Sequence, residues 1–502
     1  MARSLEADQA TAFQRFGLGA KKGSRTAIGK DPRAALLAEL SRPSLALIKD
    51  PALPDSNAAM LVNMNEQKRI NEEERPLRQQ QAGTAPRPAT EMMTGQPNPP
   101  ANSMGMDNTM GGGMEPGKSE APKPANKPPP RQRAEEQLRR LEMMARFKQG
   151  FDADIGLVER LVMFWSNHFC VSVMKGAPLQ ATAGAFEREA IRPFVLGRFE
   201  DMLLAVEKHQ AMLIFLDNRQ SIGPDSRAGQ NRKRGLNENL AREILELHTL
   251  GVDGGYTQAD VTGLANVITG WTIVGLEGNL GQPGTFVFNA NAHQPGAHTI
   301  LGKTYPEAGL AQGIAALKDI AAHPSTARFI ARKLVRHFIA DEPPKALAAK
   351  LEKTFLETRG DLAAVSRTLI SADEAWSAPP AKLRSPYEFV MAAARLTSTM
   401  PADAGQIMWP LGALGQQLWS PMGPNGFSDT FAALAAPEAM KTRLEISWNL
   451  ARKSGAQINP FELAEDIYGA ALSPDTMKAI GRAETKQQGL AILLMSPEFQ
   501  RR

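Results

Sequence analysis

The sequence predicts an all-α fold built from many helices, with one small β-hairpin near residues 285–305. Three observations carry that expectation. Apolar residues recur at three- and four-residue steps through most of the chain, the mark of helices with one buried face. Only one short region, GTFVFNANAHQPGAHTILGKTY, is rich in strand formers. The 502 residues are 42% hydrophobic, enough for a sizeable core, and contain no apolar run long enough to cross a bilayer. Charge excludes little else. The 58 Lys and Arg exceed the 53 Asp and Glu by only five, which does not argue for a nucleic-acid partner. The one cysteine, Cys170, rules out an intramolecular disulfide and Cys-rich zinc sites.

Taken in order, the first residues, MARSLEADQATAFQRFGLGA, lack the apolar core of a signal peptide and a leading twin-arginine motif, so a cytoplasmic location is expected. Leu36, Leu37 and Leu40 mark a helix that needs a partner elsewhere. From residue 75 to 133 the chain turns Pro-, Met-, Gly- and Gln-rich, with almost nothing to bury, and reads as a disordered insertion. The expected division is therefore an N-terminal helical part, 1–74, an insertion, 75–133, and a main helical body, 134–502. Helices are expected at RAEEQLRRLEMMARF, IGLVERLVMFWSNHF, FEDMLLAVEKHQAMLIFL, ARFIARKLVRHFIA, KALAAKLEKTFLE and MKTRLEISWNLA. Two strand pieces, Phe286–Phe288 and Thr299–Leu301, are joined by a Gly/Pro/Asn-rich turn.

The stretch NENLAREILELHTLGVDGGYTQADV, 237–261, concentrates the hydrogen-bonding side chains. At about 100° per residue, Leu240, Ile244 and Leu247 fall on a core arc, and Asn239, Arg242, Glu243 and Glu246 fall on a polar one. Glu243 and Glu246, at i and i+3, are placed to ligate a divalent metal together, or to raise one another's pKa for acid–base work. The plainer alternative is a solvated face neutralised by Arg242. His248 sits at the edge of the apolar arc and reads as a satisfied core histidine. Gly254 and Gly255 supply a turn, and TQAD starts a helix with Thr257 as its cap.

Other candidates lie at element ends. Asn167 and His168 close an apolar helix, and His293 and His298 are expected in the hairpin loop. No HExxH, GxSxG, Walker loop or dinucleotide fingerprint is present. Arg328, Arg332 and Arg336 recur every four residues and can hold an anion such as phosphate or sulfate, although such a row is more often a solvated face or a set of salt bridges to a neighbouring helix.

Taken together, FQRFGLGA, ERLVMFWSNHF, NENLAREILELHTLGVDGGYTQADV with ITGWT, FVFNANAHQPGAHTILGKTY, ARFIARKLVRHFIADEPP and LGQQLWSPMGPNGF resemble the bacterial family catalogued as domain of unknown function 1800. The resemblance covers nearly the whole chain outside the insertion. It implies a mainly helical fold and no assigned activity. Its members are often encoded beside a sulfatase-like, frequently exported family catalogued as domain of unknown function 1501, which implies a protein partner and an envelope-related role, with a periplasmic location as the alternative. Asn167, Asn239, Arg242, Trp271, Arg332 and Lys333 match family motif positions and are expected binding residues. Glu243, Glu246, His168 and His293 match too and are the catalytic candidates, the two glutamates also the metal candidates. The chain departs from the family pattern at Gln294 and His298, where an acid and a lysine are expected. Two functions are open: a binding or assembly partner of the sulfatase-like protein, or a metal-dependent or acid–base enzyme built on the 237–260 segment.

Overall fold

The computed structural model describes residues 4–83, 133–230, 235–454 and 457–502, with side chains described only to residue 73 in the first of these ranges. The chain divides into a compact unit of residues 1–64 and 134–502, and a second unit of residues 65–133. In the second unit the helix Ser56–Gly83 continues from the first, and Arg69 is clamped by Glu66 and Glu73 one turn to either side. The backbone is thus helical through residues 75–83, which were expected to open the insertion. Leu, Arg, Gln and Ala are good helix formers, and in this stretch they outweigh a single proline. The rest of the expected insertion, 84–132, lies outside the described residues.

The first unit is mainly helical, and each segment with the three/four spacing forms a helix: Ala134–Asp152, Leu157–His168, Pro324–Phe338, Lys345–Glu357 and Pro437–Ser454. The pattern over 199–216 becomes two helices, Phe199–Lys208 and Gln210–Phe215, because His209 turns extended and its Nδ1 caps the second by accepting from the Ala211 N–H at 3.1 Å. The N-terminal residues pack against the main helical body, as the lone Leu36–Leu40 stripe requires. The Glu39 carboxylate is buried and accepts from the N–H groups of Ile155, Gly156 and Leu157, at 3.0, 3.1 and 2.8 Å, where the Leu157–His168 helix begins. Those donors have no helical acceptor, so a distant carboxylate serves as the cap. Phe16, Trp165, Trp271 and Trp376 are fully buried in the same core. Among the described residues no helix is long and apolar enough to cross a membrane.

The strand region holds two small antiparallel sheets. β1 (Trp271–Ile273) pairs with β2 (Phe286–Phe288), Trp271 opposite Phe288. β3 (His298–Ile300) pairs with β4 (Lys303–Tyr305), His298 opposite Tyr305. Both expected strand pieces are present, but each takes another partner. Leu301 and Gly302, at φ +49° and +76°, make a two-residue turn with both central residues left-handed, which matches strand twist and closes β3 on β4 locally.

Candidate functional site

The helix at the centre of the 237–261 segment runs Asn239–Glu243 and then widens, from Ile244 to Thr249, into a π-helical turn closed by the Leu250 N–H on the Leu245 carbonyl at 3.0 Å, with the Thr249 hydroxyl donating to the Ile244 carbonyl. The wider turn shifts the phase that a constant 100° step assumes. Leu245 is therefore fully buried and Leu247 only half-buried. The polar arc faces outward. Asn239 is exposed, and Arg242 donates to Gln258 at 2.8 Å and to Glu238 at 3.3 Å, not to Glu243 or Glu246. Glu246 accepts from the Tyr256 hydroxyl at 3.3 Å. Burial, aided by the neighbouring Glu246 charge, pushes the half-buried Glu243 carboxyl up. Among the described residues no three His, Cys, Asp or Glu side chains converge to hold a metal, so the glutamate pair lacks further ligands of those types. The cap at TQAD is formed as expected, with Thr257 and Asp260 in a reciprocal capping box.

The histidines divide between two places. His293 is buried, Nδ1 against the Thr269 carbonyl at 3.0 Å and Nε2 against Gln312 Oε1 at 3.2 Å, so both ring nitrogens are occupied by the scaffold. Gln294, where the resemblance leads one to expect an acid, exchanges hydrogen bonds with Asp225. Trp271, an expected binding residue, is fully buried, edge-on to Phe286. It is a core residue. His248 is buried as expected but only half satisfied, its Nδ1 2.8 Å from Glu207 Oε1 and its buried Nε2 without a hydrogen-bond partner among the described residues. The His248 carbonyl in turn accepts from His168 Nε2 at 3.0 Å. That bond places the His168 proton on Nε2 and leaves Nδ1 as an acceptor for the Lys333 ammonium, 2.9 Å away. Asn167, His168 and Lys333 are thus brought together, and no hydrogen bond joins them to Glu243, Glu246 or His293.

Around Lys333 the chain builds a cleft. Asn167 clamps the loop opposite, donating to the Phe427 carbonyl at 3.0 Å and accepting from the Phe427 N–H at 2.8 Å. Gly426 has φ +76°, and a Cβ there would sit 2.5 Å from the Asn167 carbonyl oxygen, so only glycine fits. This loop carries Asp429, 3.4 Å from His337 Nδ1 and 3.5 Å from the buried Lys382. A cavity of about 250 Å³ is lined by Asn167, His168, Lys333, His337 and Asp429. A second, of about 340 Å³, lies between the Gly251–Asp253 turn and the Pro324–Phe338 helix, and Lys333 and Arg336 line both. Burial brings the Lys333 amine down to about 8. His168 is held well below the usual histidine range by burial and then by the Lys333 charge. Burial also brings His337 down to about 4, against the hydrogen bond to the Asp429 carboxylate that favours its proton.

The model of a family described as a protein of unknown function (DUF1800) matches residues 11–501. The chain belongs to that family. No curated protein and no solved structure matches it. Within this DUF1800 chain, sequence reasoning placed Asn167, His168, Arg332 and Lys333 among the candidates but passed over His337 and the 425–430 loop. The GPNG run has the composition of a turn. Nothing local signals that this turn closes over a helix some 260 positions earlier.

Proposed function

We propose that this DUF1800 protein is a binding and assembly protein, and that its working surface is the Lys333 cleft. One observation supports the reading. Four stretches far apart in sequence, WSNHF, HTLGVDGG, ARKLVRHF and PNGFSD, line two adjoining cavities that share Lys333 and Arg336. The sulfatase-like protein expected from the family resemblance is the proposed partner, with carriage to the cell envelope in its company as the alternative to a cytoplasmic location. Co-expression of the two proteins, with purification through a tag on either, tests this. A complex that survives gel filtration and is weakened about tenfold by Arg336→Glu is the expected result. If each protein elutes alone at micromolar concentration, the reading fails.

A second reading has its own support. An amine brought down to about 8 and hydrogen-bonded to an unprotonated imidazole is suited to acid–base work near neutral pH. The enzyme alternative is thereby better placed at Lys333 and His168 than at Glu243 and Glu246.

A further inference from the structure

We propose that the cavity between the Gly251–Asp253 turn and the Pro324–Phe338 helix binds a tetrahedral oxyanion, phosphate or sulfate, either free or as the monoester group of a small molecule. This rests on the reading of the Lys333 cleft as the working surface and is independent of any protein partner.

The charge of the lining comes first. Arg328, Arg332, Lys333 and Arg336 face Asp253, four cations to one acid in about 340 Å³. That volume lies at the lower end of small-ligand pockets, roughly 300–1,000 Å³, and far exceeds a water molecule. The four cations are not equally occupied. Arg328 meets Glu352 on the next helix at 3.4 Å, and Arg336 uses Nε on the Asp341 carbonyl at 3.0 Å. Arg332 is exposed and has no hydrogen-bond or ion-pair partner among the described residues. The arginine row is thus only partly a salt-bridged face.

Geometry adds to charge. Arg332 and Arg336 are one turn apart, which sets their Cβ atoms about 5–6 Å from each other and allows two guanidinium forks to converge on one group of oxygens. Lys333 lies between them in sequence, its Nζ 5.2 Å from the Phe329 ring centre and bonded to His168, with two of its three N–H groups left over. On the opposite wall Gly251 has φ +85°, and a Cβ there would lie 2.7 Å from Phe329 Cδ2, so the turn is pressed against the same ring. Among the described residues the N–H groups of Gly251, Val252 and Asp253 donate to no backbone acceptor. A turn whose amides have no backbone acceptor, lining the same cavity as a row of guanidiniums, is a setting for an anion.

The experiment titrates the full chain with sodium phosphate, sodium sulfate and phenyl phosphate at constant ionic strength, with chloride as the reference, and follows heat and thermal unfolding. Wild type is compared with Arg332→Gln, Lys333→Met and, outside the cavity, Lys353→Gln. Saturable binding of phosphate or sulfate is expected, weakened about tenfold by either cavity substitution and unchanged by Lys353→Gln. Tighter binding of phenyl phosphate than of phosphate assigns the site to a monoester, and the reverse assigns it to the free ion. Arg332 is exposed, so its variant keeps the test valid if Lys333→Met fails to fold. No saturable binding up to about 20 mM overturns the proposal, as does an equal response in all variants, which is screening alone. Loss of the partner complex with anion binding intact would remove the assembly reading and leave this site standing.

Discussion

At the residue scale, the difference between a site and a surface is decided by which partner a charge takes. Arg242, Glu243 and Glu246 share the polar arc, yet Arg242 turns to Glu238 and Gln258. The glutamates are left with the Tyr256 hydroxyl and partial burial. Replacing both, Glu243→Gln and Glu246→Gln together, therefore strands no cation. The expected change in unfolding free energy is within about 0.5 kcal/mol, as for ordinary surface substitutions, because both carboxylates are only partly buried and glutamine keeps their size and hydrogen-bonding reach. Urea unfolding at pH 7 measures it. A loss of more than about 2 kcal/mol would mean that these carboxylates hold a buried network after all.

At the element scale, the sequence makes legible whatever depends on neighbours a few positions away. Helices, the Thr257 cap and the core placement of His248 follow from local spacing, and the structure has them. The π-helical turn was not legible, because a constant helical step cannot register one widened turn. It moved Leu245 inward and Leu247 half out. Strand pairing was not legible either. β2 finds β1 across 12 intervening residues, and the adjacent piece closes on β4 through Leu301–Gly302. The candidate site shows the same limit, since Asn167 was recognised as a candidate but its partner loop was not. Asn167 satisfies both backbone groups of Phe427. Asn167→Ala should cost about 1–3 kcal/mol, the penalty of two backbone groups losing their partner. It should also speed amide exchange across 425–430 while sparing the exchange of the Pro324–Phe338 helix. Unchanged exchange in the loop would show that something other than Asn167 holds it.

At the scale of the whole molecule, the parts are joined by buried charges that the sequence disguises as surface ones. Arg160 sits in ERLVMFW, where its spacing suggests a polar face, yet it is fully buried, as are Glu388 and Arg502. Glu388 faces Arg160 at 2.9 Å and Arg502 at 3.0 Å, and its carboxylate also caps its own helix by accepting from the Ser385 N–H at 2.7 Å. Arg502 donates to the His337 carbonyl, so this cluster adjoins the candidate cleft and fixes the last turn of the helix that carries Lys333. Removing one carboxylate leaves two buried guanidiniums facing each other. Glu388→Gln should therefore cost about 3 kcal/mol or more, while a change in which no charge is stranded would cost little. The acid limb distinguishes this from simple loss of packing. Against the burial that pushes it up, Arg160 and Arg502 hold the Glu388 carboxyl far below the ordinary 4.5. Its folded pKa is the depressed one, so its contribution is complete above pH 4.5 and is lost as the pH falls below that value, where the unfolded chain takes up the proton first. Wild type should lose stability more steeply than Glu388→Gln between pH 4.5 and pH 3, and the gap between the two should narrow as the pH falls. Parallel acid limbs would place the cost of the substitution in packing, and the joining of these segments would then rest on the apolar core alone.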